Sequence, residues 1–394
     1  MQVLSHTLAV CSKNLRPVNA KVVEENGKVY LEKECGEKVL VDSDAELYKK
    51  FVLPFKMNGI EGKNIEEIWQ KLRKEVFSTA LYITSKCNLH CKICYLNFAH
   101  SMHDMTIEEI KEFLKKNKSR FISLTGGEPT VRKDLPKIIR LLTKRGRKVL
   151  IITNGIKLAN KKYVRKLEES GLFGVYLSFD GFDEKIYREF RGKNLLKKKL
   201  KALKNLEEEG VSTILVPVIR KNFNENEVKR IIDYANKHLF IEEVRFLTEY
   251  PNYNFFISDG YKLISRNYNI SLDYFVDIKR ILWKFKKLTS LFKNIVGIDH
   301  CVVPLKRGSL KPLFNPTDNE IVKLFKIFKE GVSVMLWRIF GRKTKSILKI
   351  CFCSIYTPLT WDFNRPGMIF SESNASFEKV KGKFPIHAMV GVPA

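Results

Sequence analysis

The sequence predicts an α/β protein built on a parallel sheet, with a small β ribbon ahead of it and a mainly α segment behind it. Three observations carry this. Apolar runs at 78–84, 120–124, 148–152, 174–179, 213–219 and 243–248 alternate with helical patterns at 106–116, 134–144, 159–169, 194–209 and 225–238. Each helical stretch is long enough for a right-handed crossover, so successive strands should run parallel. Before the first run stands a hairpin text, and beyond residue 249 the alternation gives way to aromatic and basic helical patterns. These shifts divide the chain into 1–64, 65–250 and 251–394.

In the first division, Lys21-Val22-Val23-Glu24-Glu25 and Lys28-Val29-Tyr30-Leu31-Glu32 flank Asn26-Gly27, a dipeptide suited to a type I′ turn. Cys11 precedes this hairpin and Cys35 follows it, the layout of a zinc ribbon, in which each end normally supplies a pair of ligands. Here Asn14 and Lys38 stand where the second ligands would fall. Residues 65–75 then read as a charged amphipathic helix leading into the strand–helix repeat.

The first strand of the repeat ends in Cys87-Asn88-Leu89-His90-Cys91-Lys92-Ile93-Cys94, three cysteines spaced C-x3-C-x2-C. Three thiolates on one loop can hold three corners of a cubane iron–sulfur cluster and leave one iron open for chemistry. A zinc knuckle completed by His90 or a distant residue, or three unrelated buried cysteines, are the alternatives. Later strands also end in polar text: Thr125-Gly126-Gly127-Glu128-Pro129, Ile151-Ile152-Thr153-Asn154-Gly155 and Leu177-Ser178-Phe179-Asp180-Gly181. Sites on parallel sheets collect at these carboxyl ends.

This ordered series resembles the radical S-adenosylmethionine (SAM) enzymes over roughly 77–249. The resemblance implies a partial (β/α)6 barrel, a [4Fe–4S] cluster on Cys87, Cys91 and Cys94, and SAM bound at its open iron. Reductive cleavage of SAM would release a 5′-deoxyadenosyl radical that abstracts hydrogen from an unactivated carbon. It further implies that Gly126, Gly127 and Glu128 meet the methionine ammonium, since glycines permit close approach and a carboxylate complements the cation. Arg191 would pair with the methionine carboxylate, and Asn154, Ser178 and Asp180 would contact the cofactor. The alternatives are a surface cation at Arg191, a turn at Asn154 and strand-end capping at Ser178 and Asp180. Ile93 stands where many members carry an aromatic residue. The ribbon resembles that of a subgroup containing archaeal tetraether lipid synthase and pterin methylases, where a cysteine and a histidine occupy the positions of Asn14 and Lys38. By that comparison this ribbon keeps its fold and has lost its metal.

Beyond 250, Asp273–Phe292 reads as a basic helix. A second helix from Glu320 to Lys329 places Ile321, Leu324, Phe325 and Phe328 on one face and Lys323, Lys326 and Lys329 opposite, with apolar text running on to Phe340. The expected packing buries the apolar face on the barrel and leaves the basic face in solvent; a membrane interface is the other reading. Cys301, Cys351 and Cys353 could serve one auxiliary cluster or a single metal using a non-cysteine ligand, or be small buried hydrophobes.

Lys and Arg number 71 against 43 Asp and Glu, a formal net charge of +28, which draws anionic partners to the surface. Thermophile ion-pair networks would carry matching acids. Eight cysteines without a signal-peptide pattern point to a reducing, cytoplasmic setting, peripheral to a membrane at most, and no apolar run reaches about 18 residues. The partners expected are a small-molecule or lipid substrate and an electron donor such as ferredoxin or flavodoxin. Peptide or tRNA modification is a second enzyme reading; nucleic acid ranks lower because no RNA-binding module is appended. A noncatalytic lipid- or nucleic-acid-binding protein on the same fold is the reading from another class.

Overall fold

The computed structural model describes residues 1–11, 17–55, 78–94, 103–117, 119–249, 254–284, 302–340, 347–353, 369–371 and 388–391. The expected helix at 65–75 lies outside these. The first unit is a four-stranded antiparallel sheet, β1 (Gln2–Val10), β2 (Pro17–Glu25), β3 (Lys28–Lys33) and β4 (Lys38–Asp42), in that order, followed by α1 (Ala45–Phe51). Asn26 and Gly27 take φ of 51° and 71°, the left-handed pair that a type I′ turn requires. Val22, Val29, Leu31, Ala45 and Tyr48 form the ribbon's own small core.

The main sheet contains β5 (Ser78–Thr84), β6 (Phe121–Gly126), β7 (Lys148–Thr153), β8 (Leu172–Ser178), β9 (Thr213–Val216) and β11 (Ile241–Thr248), neighbours in chain order and all parallel, with the short β10 (Val218–Ile219) on β11. Crossovers are made by α2 (Ile107–Lys116), α3 (Leu135–Thr143), α4 (Lys161–Glu168), α6 (Leu196–Glu208) and α7 (Glu227–Lys237). One further helix, α5 (Glu184–Arg191), was not read from the sequence. It is short and opens with Asp183 accepting from the Lys185 N–H at 2.8 Å. Gly192, at φ 70°, closes it.

The two faces of the sheet differ. Ile83, Leu124, Ile151, Leu177, Leu215 and Val244 are fully buried under the helices. Burying each such side chain contributes roughly 1.5–3 kcal/mol. On the opposite face Ser123, Ile152, Tyr176, Ser178, Val216 and Arg245 are only half-buried, the open concavity of a partial barrel.

The expected mainly α character of 251–394 holds for α8 (Ile257–Tyr268), α9 (Leu272–Lys284) and α10 (Glu320–Phe340). The same segment also gives strands to the main sheet. β13 (Ile347–Cys353) runs parallel to β11, and β12 (Val302–Lys306) pairs antiparallel with β13. On the other edge β15 (Ala388–Gly391) pairs antiparallel with β5, and β14 (Ile369–Ser371) pairs antiparallel with β15.

One expectation is reversed on α10. Ile321 is 78% and Phe325 66% exposed, whereas Lys323 is buried. Its Nζ donates to Asp277 Oδ2 of α9 at 2.7 Å and to the Pro316 carbonyl at 2.6 Å. A buried lysine with two acceptors is tolerable, and Ile327 and Leu324 supply the packing instead.

Candidate active site

Elements meet at the carboxyl ends of β5 to β10. The loop after β5 carries the three cysteines. Its backbone is fastened by Thr84 Oγ1, which accepts from the Lys86 N–H at 3.1 Å and donates to Asp104 at 2.6 Å. Arg132, just past β6, donates to the Ile83 and Met105 carbonyls, both at 2.6 Å, while Asp134 grips its other nitrogens. Cys87, Cys91 and Cys94 are half-buried and none is in a disulfide. The Cys87 thiol is pushed up chiefly by burial and further by the charges of Glu128, Cys91 and Cys94. Deprotonation for metal ligation is therefore coupled to binding a cation.

Gly126 and Gly127 are demanded by the approach of this loop. A Cβ at Gly127 would stand 2.5 Å from both the Ser85 and Lys86 carbonyls, and one at Gly126 (φ 137°) would overlap the Thr84 carbonyl. The bare backbone instead donates from Gly127 N–H to Thr84 O at 2.9 Å and from Glu128 N–H to Lys86 O at 2.8 Å.

Glu128 is buried, and its carboxylate ties strand ends together. Oε1 accepts from Thr130 N–H at 3.0 Å and from the hydroxyls of Thr130 and Thr153, each at 2.6 Å. Oε2 accepts from Asn154 N–H at 2.7 Å. Asn154 Nδ2 then donates to Asn88 Oδ1 at 2.7 Å, pinning the cysteine loop to the end of β7.

Fully buried Asp180 and partly buried Arg191 form a bidentate pair, Nε to Oδ2 and Nη2 to Oδ1, both at 2.8 Å, and Oδ1 also accepts from Val218 N–H at 3.1 Å. Burial works against the Arg191 charge, but Asp180, with Cys91 after it, raises its pKa above the ordinary value. Ser178 Oγ is buried without a hydrogen-bond partner.

Sequence reading missed three residues here. Lys199, fully buried on α6, donates from Nζ to the carbonyls of Asn154 at 2.6 Å and Ser178 at 2.5 Å. Burial pushes its pKa down to about 8, while Asp180 pulls the other way. The signal was a lysine in the stripe Leu195, Lys199, Ala202, Leu203, Leu206, all buried. Asn88 and Arg132 gave no signal of their own, because both act on backbone or amide groups brought near only by folding.

The auxiliary candidates fall elsewhere. Cys351 and Cys353 lie on β13 in register with Arg245 and Leu247 of β11. Cys301 lies outside the described residues; Val302 after it pairs with Cys351.

Comparison with known proteins matches this arrangement. A family model described as the radical SAM superfamily covers residues 81–235, and one described as the HMPTM N-terminal zinc ribbon domain covers 3–37. A probable GTP 3′,8-cyclase of Pyrococcus horikoshii is 30% identical over 230 residues, 56% of this chain and 68% of that protein. The chain belongs to the radical SAM superfamily. The 7,8-dihydro-6-hydroxymethylpterin dimethyltransferase of Methanocaldococcus jannaschii is 37% identical over 255 residues, 59% of this chain and 50% of that protein. A GTP 3′,8-cyclase of Clostridium perfringens is 31% identical over 46% of this chain and 58% of its own length. The chain thus spans about half the length of the first curated relatives it matches. Streptococcus suis SuiB bound to S-adenosylmethionine aligns over 67% of this chain and 69% of that one, with TM-score 0.41 and 20% identity.

Radical SAM enzymes use a [4Fe–4S] cluster and SAM, and the residues here fit both. Three thiols on one braced loop suit a cluster. Beside them the orphaned Ser178 hydroxyl and the Arg191 guanidinium offer polar groups to a bound molecule.

Proposed function

We propose that this radical SAM enzyme acts on a small pterin-type heterocycle, abstracting hydrogen from an unactivated C–H bond. The observation that supports it best is the convergence of the Cys87–Cys94 loop, the Glu128 network and the Asp180–Arg191 pair at one end of the sheet. The names of the pterin dimethyltransferase and GTP 3′,8-cyclase relatives favour a pterin or purine-like ring. The net charge of +28 favours a substrate bearing phosphate.

When bound, the cluster supplies one electron to SAM and so a radical able to attack such a bond. Cys87, Cys91 and Cys94 hold the cluster in this proposal. Arg191 lies close enough to Cys91 for their charges to interact, so it would offset thiolate charge and would be the residue to pair with the methionine carboxylate. Asp180 keeps that guanidinium in place and is not itself the ribose contact; Ser178 takes the ribose hydroxyl. Glu128, with both oxygens occupied, acts by holding Asn154 and the cysteine loop in position, and Gly126 and Gly127 let the two loops touch. An electron donor such as ferredoxin or flavodoxin feeds the site.

Anaerobic reconstitution with iron and sulfide tests this. The wild-type chain should take up a cluster, cleave SAM under dithionite, and convert a hydroxymethyl-dihydropterin to a product of changed mass. Cys91→Ala should do none of these. Cleavage of SAM with every pterin unchanged would remove the substrate assignment and leave the family chemistry standing.

A lipid-bearing substrate at a membrane surface is the second reading. It is favoured by the exposed Ile321, Phe325 and Phe328 on α10. No helix among the described residues is long and apolar enough to cross a membrane, so contact would be peripheral. Co-sedimentation with anionic liposomes, lost in Phe325→Glu, would support it.

A further inference from the structure

The ribbon's ends come together around three ligating atoms. β1 and β3 flank β2 and run in the same direction, so Cys11, just past β1, and Cys35, just past β3, leave the sheet at the same end. The turn after β3 is closed by Gly36 N–H to Lys33 O at 2.9 Å and Lys33 N–H to Glu37 O at 2.8 Å, with Gly36 at φ 82°. It is held to β2 by Glu34 N–H donating to Asn19 O at 2.8 Å. This turn swings Glu37 back, so that one ligand atom from each of Cys11, Cys35 and Glu37 lies within 4.8 Å of the others. Glu37 Oε2 takes the buried Lys33 ammonium at 2.8 Å, and Oε1 stands 3.9 Å from Cys11 Sγ.

We propose that the ribbon binds a divalent metal of the zinc class through Cys11, Cys35 and Glu37, the three ligating side chains that converge there among the described residues. The geometry suits it: metal–sulfur and metal–oxygen bonds of about 2.3 and 2.1 Å at tetrahedral angles separate ligand atoms by about 3.5–4 Å. A closure of about 1 Å suffices. The charges also balance, because two thiolates and one carboxylate against a divalent cation and Lys33 sum to zero, which makes the burial tolerable. The ligand pairs of an ordinary ribbon are not reproduced. Lys38 is drawn off to Glu25 and Glu32 at 2.8 and 3.0 Å. The expectation of a lost metal counted positions 14 and 38 and overlooked Glu37, one residue away.

Cobalt(II) titration of the iron-free full chain under reducing conditions tests the site. Wild type should bind one equivalent more than Cys11→Ser, with a thiolate-to-cobalt charge-transfer band. Glu37→Gln should weaken that equivalent by about tenfold or more. Glu37→Cys, adding a third thiolate, should raise the band from this site by about half. Equal stoichiometry in wild type and Cys11→Ser overturns the proposal. Should Cys11→Ser fail to fold, an unchanged band in Glu37→Cys overturns it equally. A Cys11–Cys35 disulfide with no cobalt uptake after reduction does the same.

Discussion

Lys199 lies closest to the question of what a single side chain does here. Its ammonium joins the ends of β7 and β8 through two carbonyls, and burial holds its pKa at about 8. An unfolded lysine titrates near 10.4. Between about pH 8 and 10 the native chain therefore binds fewer protons than the unfolded one, and stability should rise with pH through that window, by an amount on the order of a few kcal/mol. Urea denaturation at intervals across that range should reveal the slope, and Lys199→Met should abolish it. Asp180 answers a different test. Removing its carboxylate in Asp180→Ala strands a partly buried guanidinium, and about 3–5 kcal/mol of stability should be lost. A loss below about 1 kcal/mol would mean that Arg191 finds another partner. Neither role was read beforehand: Lys199 was missed, and the sequence marked Asp180 at a strand end and Arg191 by family resemblance, but not that the two meet.

Among the elements, the cysteine loop and the Gly126-Gly127-Glu128 turn behave as one unit, because their backbones bond directly. Gly127→Ala should push the Ser85 and Lys86 carbonyls away and cost about 1–3 kcal/mol. It should also lower the iron bound on reconstitution. Gly146→Ala, in an open turn where a Cβ meets nothing within 4 Å, should cost about 1 kcal/mol and leave iron uptake unchanged. Equal iron uptake by the two variants would separate the turn from the loop. The strands and crossover helices were readable because period and length agree at every step. Helix α5 escaped because it spans only eight residues, although Ile186, Tyr187 and Phe190 mark one buried face along it. Helix α10 was recognised, but its facing was not. Amphipathic text names two faces, and Asp277 on a distant helix decided which lysine went inward.

At the scale of the whole molecule, the excess of positive charge sets a general expectation. Self-repulsion at +28 opposes the compact state. Raising salt from about 10 mM to about 0.5 M shortens the screening length from roughly 30 Å to under 10 Å. The melting temperature should therefore rise over that range, and a fall would show that the many surface ion pairs outweigh the repulsion. The sequence by itself determined the α/β class, the order of the six core strands and their five crossover helices, and the three-cysteine loop. These follow from hydrophobic period and residue spacing along the chain, which are local properties. Only the tertiary structure decided that Asn88 meets Asn154, that Asp180 closes on Arg191, that Glu37 joins Cys11 and Cys35, and that β13 extends the sheet. Such pairings join residues far apart in sequence, and the spatial approach that makes them exists only once the sheet has brought its strand ends together.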